Sequence, residues 1–241
     1  ENGRLYAVRN GELQWEIETD SPIVATATVT EDRLYTAGLD GSVYTLDPQT
    51  GDIIWSYEMA QGTYSSPVLT DDGLIVVGSL DENVYALNAD NGSLVWIYDT
   101  NGEVWSSPAY ADGVIYVGSR GGAVHAIRDG ETMWTYDTDG FINATPAVVD
   151  GVVYIGSRDD VFRALDATSG ELIWSVDVGS AIYASAAVGD VRAYVYGLDG
   201  VVYAMDRFTG ETVWTVDIGG AAYSAPVLAQ DVLYAVTEQD G

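Results

Sequence analysis

Three observations predict an all-β chain built as a propeller of four-stranded antiparallel blades. Tryptophan recurs at a spacing near forty residues. Each forty-residue unit divides into four short apolar segments. Asp, Asn and Gly clusters separate those segments.

The repeat is read first, because a period of this size means stacked supersecondary units. Trp15, Trp55, Trp96, Trp134, Trp174 and Trp214 are spaced by 40, 41, 38, 40 and 40 residues. Trp105 alone lies off this register. A forty-residue period suits helical solenoids as well as blades, so the local pattern decides. In the second unit, residues 64–70 read as a first strand, 74–79 as a second, 84–88 as a third and 93–98 as a fourth. Turn signals at Asp71-Asp72-Gly73, Asp81-Glu82-Asn83 and Asn91-Gly92 divide them. Apolar runs of about five residues bounded by such turns are antiparallel hairpins. No helical apolar period of sufficient length is present. Four strands per unit is the blade of a propeller.

The third turn comes in two lengths. From the Ala or Thr that opens it to the Trp is ten residues at Thr45–Trp55, Ala86–Trp96, Ala164–Trp174 and Ala204–Trp214, and eight at Ala7–Trp15 and Ala126–Trp134. The short forms carry Asn10-Gly11 and Asp129-Gly130, which predict two-residue type I′ turns. A change of two residues preserves which face each side chain takes. The first-strand segment and the Trp strand each occur six times, which predicts six blades: approximately 22–60, 61–102, 103–140, 141–180, 181–220, and 221–241 plus 1–21, within a single domain over 1–241. The terminal halves are complementary in pattern and are expected to complete one blade, removing exposed strand edges. Asn2-Gly3 and Asp240-Gly241 occupy the same place in the repeat, which also fits a piece of a larger array of seven or eight blades.

Composition bounds the function. There are 37 Asp and Glu against 9 basic residues, a formal net charge of −28, and all nine basic residues are Arg. An acidic chain without Lys suggests a surface adapted to a salt-rich environment, where hydrated cations screen self-repulsion. Hydrophobic residues at 47% argue against an acidic disordered chain. Nucleic acid is excluded as a partner because phosphate contacts need Lys/Arg clusters. Cys is absent, which removes disulfides, thiolate nucleophiles and Cys-based metal sites. No apolar run approaches the roughly 18 residues of a membrane span. The chain opens Glu1-Asn2-Gly3, so a removed leader or a fragment is expected.

Residues Ala164–Trp174 (ALDATSGELIW), Thr45–Trp55 (TLDPQTGDIIW) and Ala204–Trp214 (AMDRFTGETVW) resemble the tryptophan-docking motif of the PQQ-like, quinoprotein-type β-propeller repeat family. Ala86–Trp96 is looser, and the two short units lack the Asp and Thr positions. The resemblance covers the whole chain, and the acidic, Lys-free composition suggests a halophilic archaeal version. It implies a propeller whose first strands lie innermost. It also implies several possible activities: quinone-cofactor dehydrogenases, scaffolds similar to the bacterial outer-membrane assembly lipoprotein, and sensor domains attached to kinases. Fold alone does not choose among them. The alcohol-oxidising members have an adjacent Cys pair beneath the cofactor, a calcium site and an Asp base; with no Cys, the pair is missing.

Candidate sites follow from the repeat. The single His, His125, stands where Tyr6, Tyr44, Tyr85 and Tyr203 stand in other units, and Arg163 takes that place in the next. They are expected to be substituted strand residues, paired at a blade junction, or a symmetry-breaking polar spot. One His without positioned partners makes neither a nucleophilic triad nor a metal site. The six register Trp are expected to be structural wedges between blades. Turns 137–140 and 99–102 have Asp/Asn/Gly content, but neither has EF-hand spacing and such residues serve turns. Gly118–Gly122 lacks the strand–helix context of a phosphate loop. Asn91 and Asn143 fit short glycosylation patterns.

The strongest functional candidate is positional. The residue leading into the innermost strand is Val24, Tyr64, Trp105, Asn143, Tyr183 and Tyr223 across the units. Under the resemblance these ring the mouth of a central channel, either plugging it or presenting aromatic faces with polar tips to a partner. The expectation is therefore a noncatalytic, monomeric scaffold for an unknown protein or small ligand, with no cofactor, no metal and no membrane span. An extracytoplasmic or cell-surface place is favoured. A quinone- and calcium-dependent enzyme, or a sensor propeller cut from a larger protein, are the alternatives.

Overall fold

A computed structural model describes residues 3–19, 21–230 and 232–238. The described chain contains strands and turns and no α-helix. It divides into two compact units, one ending at Pro108 and the other beginning at Ala109.

The first unit begins with a two-stranded sheet, β1 (Arg4–Arg9) and β2 (Glu12–Glu18). Two complete antiparallel blades follow. One is β3 (Thr28–Val29), β4 (Leu34–Ala37), β5 (Ser42–Leu46) and β6 (Ile53–Glu58). The other is β7 (Val68–Leu69), β8 (Leu74–Gly78), β9 (Asn83–Asn88) and β10 (Leu94–Asp99). Strands pair in sequence order, as expected when each joins the next by a tight turn. The middle strands hold the core. Tyr35, Val43, Ile75, Val77 and Leu87 are buried between the two blades.

The second unit holds three complete blades. They comprise β11 (Ala109–Ala111), β12 (Val114–Gly118), β13 (Ala123–Arg128) and β14 (Glu131–Asp137); β15 (Ala147–Val149), β16 (Val152–Gly156), β17 (Val161–Asp166) and β18 (Leu172–Asp177); and β19 (Ala187–Val188), β20 (Arg192–Tyr196), β21 (Val201–Asp206) and β22 (Thr212–Asp217). A two-stranded sheet, β23 (Val227–Ala229) and β24 (Val232–Tyr234), follows. The first strands β11, β15, β19 and β23 neighbour one another in turn. The architecture is a β-propeller. Five complete sheets, a sheet carrying the last two strands of the pattern and another carrying the first two fit the sixfold count.

The repeat motif has a local physical cause. Each register Trp stands opposite a small residue on the adjacent strand, as in Ala164↔Trp174 and Thr45↔Trp55, and a β-bulge follows immediately. The bulge re-aims the Trp strand. At four of the six positions the indole then bonds to the neighbouring blade. Trp15 Nε1–H donates to the Pro48 carbonyl at 3.1 Å and Trp55 to Ala89 at 3.0 Å. In the second unit Trp134 donates to Ala167 and Trp174 to Arg207, both at 2.9 Å. The motif glycine lies on the face of that indole. A Cβ on Gly210 would stand 2.8 Å from Trp174 Cδ2, and Gly210 sits at φ +75°. The motif Asp caps the turn. Asp166 Oδ1 accepts from the Thr168 and Ser169 amides, and Asp206 from Phe208 and Thr209. These bonds hold both carboxyls below their ordinary range, the Ser169 amide leading for one and the Thr209 amide for the other.

The short hairpins take the turn predicted for them. Asn10 and Gly11 have φ of 54° and 83°, and Asp129 and Gly130 have 53° and 80°. Both central residues are left-handed, as type I′ requires. The first strands differ from expectation. Residues 64–67 are not in a ladder, and β7 covers only Val68–Leu69. Pro67 supplies no amide hydrogen. Side chains take over its neighbours: Ser66 N–H donates to Ser107 Oγ at 2.9 Å, and Thr63 Oγ1–H to the Gly78 carbonyl at 2.6 Å.

Candidate functional site

The short first strands move the candidate residues onto loops. Val24, Tyr64, Trp105, Asn143, Tyr183 and Tyr223 precede the strands. Three fall in each unit.

In the first unit Tyr64 and Trp105 are stacked, with ring centroids 4.5 Å apart and an interplanar angle of 21°. Trp105 Nε1–H donates to Glu103 Oε2 at 2.8 Å. Tyr64 and Val24 are exposed. Stacking of this kind contributes about 0.5–1.5 kcal/mol beyond burial and so favours this arrangement.

In the second unit Tyr183 and Tyr223 meet edge to face at 5.8 Å, and Tyr223 is 54% exposed. Asn143 is half-buried, and its Oδ1 is buried without a donor. The Arg158 guanidinium lies 5.2 Å from the Tyr183 ring centre and 5.6 Å from that of Phe141. Arg120 lies 5.0 Å from the same Phe141 ring. Arg120, Phe141 and Arg158 were not among the sequence-derived candidates. A signal was available. Arg120 and Arg158 occupy the repeat position of Leu39, Leu80 and Leu198, and Phe141 that of Gly62, Ala181 and Ala221.

His125 and Arg163 do not bond each other. His125 is buried, its Nε2 3.3 Å from Ser119 Oγ. Arg163 donates through Nη1 and Nη2 to the two carboxylate oxygens of Asp159 at 2.9 and 2.6 Å, and to the Val161 carbonyl. The Tyr136 hydroxyl of the preceding blade also favours the charged guanidinium. Burial alone would raise the Asp159 carboxyl, but the Arg163 bond and charge hold it below the ordinary carboxylate range. The same partner outweighs burial to raise Arg163. In other blades Tyr fills this place: Tyr85 Oη–H donates to Asp81 at 2.6 Å, and burial followed by that carboxylate pushes its hydroxyl up to about 12. The aspartate lost opposite His125 is replaced by Gly121, which leaves His125 to Ser119.

In the two acidic turns the Thr hydroxyl ties the turn both to itself and to the preceding hairpin turn of the same blade. Thr138 Oγ1–H is within bonding distance of the Gly122 and Gly140 carbonyls, and Thr100 Oγ1–H of those of Glu82 and Gly102. Among the described residues no group of three His, Asp or Glu side chains is placed to share a metal ion. No helix among them is long and apolar enough to cross a membrane.

Sequential four-stranded sheets joined by docked indoles, with aromatic loops ahead of the innermost strands, define a PQQ-like repeat propeller. The chain belongs to the family described as outer membrane protein assembly factor BamB, whose pattern matches residues 1–106, 81–185 and 158–241. No protein with a curated description matches it. Among solved structures it is similar to BamB from Moraxella catarrhalis, at 21% identity and a TM-score of 0.83, over 98% of this chain and 74% of that one. It is also similar to the quinohemoprotein alcohol dehydrogenase ADHIIG from Pseudomonas putida HK5, at 19% identity and a TM-score of 0.70, over 84% of this chain and 43% of that one. At these identities the likeness is one of fold.

Proposed function

We propose that this chain is a noncatalytic scaffold that binds a partner protein or ligand through its aromatic loops, in an organism of high salt. The observation that carries the reading is the placement of Tyr64 with Trp105, and of Tyr183 with Tyr223, as preformed ring pairs on loops. In each pair one ring is exposed, Tyr64 and Tyr223, and a ring already held by its neighbour loses little entropy on binding, which suits an interface centre. The family and the BamB neighbour favour a scaffold; the dehydrogenase neighbour keeps the enzyme reading as the competitor. Against that competitor stands the missing Cys pair. The excess of 37 carboxylates over 9 Arg, with no Lys, supports the high-salt and archaeal part. The family likeness favours a place outside the cytoplasmic membrane.

Two measurements test this together. Incubation with pyrroloquinoline quinone and calcium, followed by a dye-reduction assay over a panel of alcohols, is expected to give no turnover; turnover would establish the enzyme reading instead. The immobilised protein is expected to retain a partner from extract of its own organism that Trp105→Ala with Tyr183→Ala releases. Equal retention by the variant would remove the aromatic loops as the binding surface.

A further inference from the structure

Several arginines on this chain are neutralised by carboxylates: Arg4 pairs with Glu18, Arg33 with Asp32, Arg163 with Asp159 and Arg207 with Asp150. Arg158 is not among them. It is exposed, it makes no ion pair among the described residues, and it stands on a chain of net charge −28. Its guanidinium is held by rings instead, against Phe141 and Tyr183. Aromatic neighbours attract the face of a guanidinium and leave its in-plane N–H groups pointing outward. Those N–H groups match a carboxylate bidentately. Beside them, Phe141 is 44% exposed and Tyr223 54%.

The arrangement is a local departure from the repeat. Leu becomes Arg at two successive blades, 120 and 158, and a small residue becomes Phe at 141 between them. These three changes converge on one ring, since both guanidinium groups lie within 5.6 Å of the centre of Phe141. A plug for a channel would need only apolar bulk. A cation fixed by rings, with apolar ring surface beside it, asks for an anion attached to something apolar.

We propose that Arg158, supported by Arg120, Phe141, Tyr183 and Tyr223, is a docking site for a segment of a partner protein that carries a carboxylate beside a large apolar side chain. The proposal rests on the scaffold reading and names the chemistry of its partner. A carboxylate fits better than a nucleic-acid phosphate backbone, which needs a run of cations that this acidic chain does not have. The site acts at contact range. At about 1 M salt the Debye length is near 3 Å, so repulsion from the surrounding carboxylates is screened while the bidentate bonds and ring contacts remain.

The test uses the whole chain in about 1 M KCl. One probe is a fluorescein-labelled, end-blocked peptide of alternating leucine and glutamate; the other is its leucine–glutamine counterpart. Fluorescence polarisation is expected to show about tenfold tighter binding of the glutamate peptide, the size of a charged hydrogen-bonded pair. Arg158→Gln is expected to abolish that preference, and Arg9→Gln, an exposed arginine elsewhere, to keep it. Circular dichroism verifies that both variants are folded. Equal affinity for the two peptides, with both weakened by Tyr223→Ala, would overturn the carboxylate site and leave the scaffold reading standing. Equal losses in Arg158→Gln and Arg9→Gln would mean diffuse attraction and overturn it as well. Binding of neither peptide would overturn the site, and the capture experiment above would then decide the scaffold reading independently.

Discussion

Replacing Trp174 by Ala tests the claim that docked indoles hold the blades together. Trp174 is 8% exposed, donates to the Arg207 carbonyl, and lies 5.9 Å from Tyr154 and 5.6 Å from Phe162, centre to centre. Removing a buried Trp costs about 3–5 kcal/mol through lost transfer energy and the cavity left behind. The ring pairs and the bond to Arg207 place Trp174→Ala at the upper part of that range, since each ring pair adds about 0.5–1.5 kcal/mol and the bond about 1 kcal/mol. Trp174→Phe keeps an aromatic ring and loses the bond, so about 1–2 kcal/mol is expected. Trp214 is the internal control. It holds the same repeat position, but it is 39% exposed and its Nε1 has no acceptor among the described residues. Among the described residues its ring neighbour is Tyr194 at 5.9 Å. Trp214→Ala is therefore expected to cost under about 2 kcal/mol. Urea titration at fixed KCl, followed by circular dichroism, gives the midpoint and slope for each variant. Equal losses for Trp174→Ala and Trp214→Ala would refute the reasoning, because the repeat position would then matter and the docked geometry would not.

Two further outcomes follow from the repeat geometry. Gly210→Ala is expected to cost about 2–4 kcal/mol in the same urea assay, combining the left-handed backbone with a clash against Trp174; Gly73→Ala, at φ +80° with open space around it, should cost only about 1–2 kcal/mol and so isolates the clash. Breaking the Arg163–Asp159 pair by Arg163→Ala should cost about 3 kcal/mol, since it leaves a largely buried carboxylate unpaired. Because the Asp159 carboxyl is lowered on folding, its stabilisation is present above about pH 4 and is lost as pH falls through the folded value. Asp159→Asn should flatten that part of the stability–pH curve, and an unchanged acid limb would contradict the assignment.

Much of the scaffold was legible in the residues because it is built from local rules repeated many times. A Trp opposite a small residue, a Gly four places before it and an Asp capping the turn recur often enough to reveal their period. Asn10-Gly11 and Asp129-Gly130 announced their turn type because few other residues tolerate two successive left-handed conformations. The first strands were overread. A run such as residues 64–70 looks like a strand by composition, but Pro67 and the Ser and Thr hydroxyls replace ladder bonds by side-chain bonds. Period and composition do not register that exchange.

The site was only half legible, for a different reason. Tyr64, Trp105, Tyr183 and Tyr223 could be found by their place in the repeat. That Tyr64 stacks on Trp105, and Tyr183 meets Tyr223 at an edge, depends on how adjacent loops turn toward each other. His125 and Arg163, whose shared repeat position suggested a pair, are instead served within their own hairpins, one by a serine six residues back and the other by an aspartate four residues back. Arg120, Phe141 and Arg158 lie 21 and 17 residues apart along the chain and converge only because successive blades bring equivalent loops side by side. By itself, then, the order of residues determined the blade, its turns and its indole wedge, since each is settled within one repeat or between neighbours. Which exposed side chains share a surface was decided by tertiary structure alone, because that depends on the placement of whole blades, to which no single stretch of chain is sensitive.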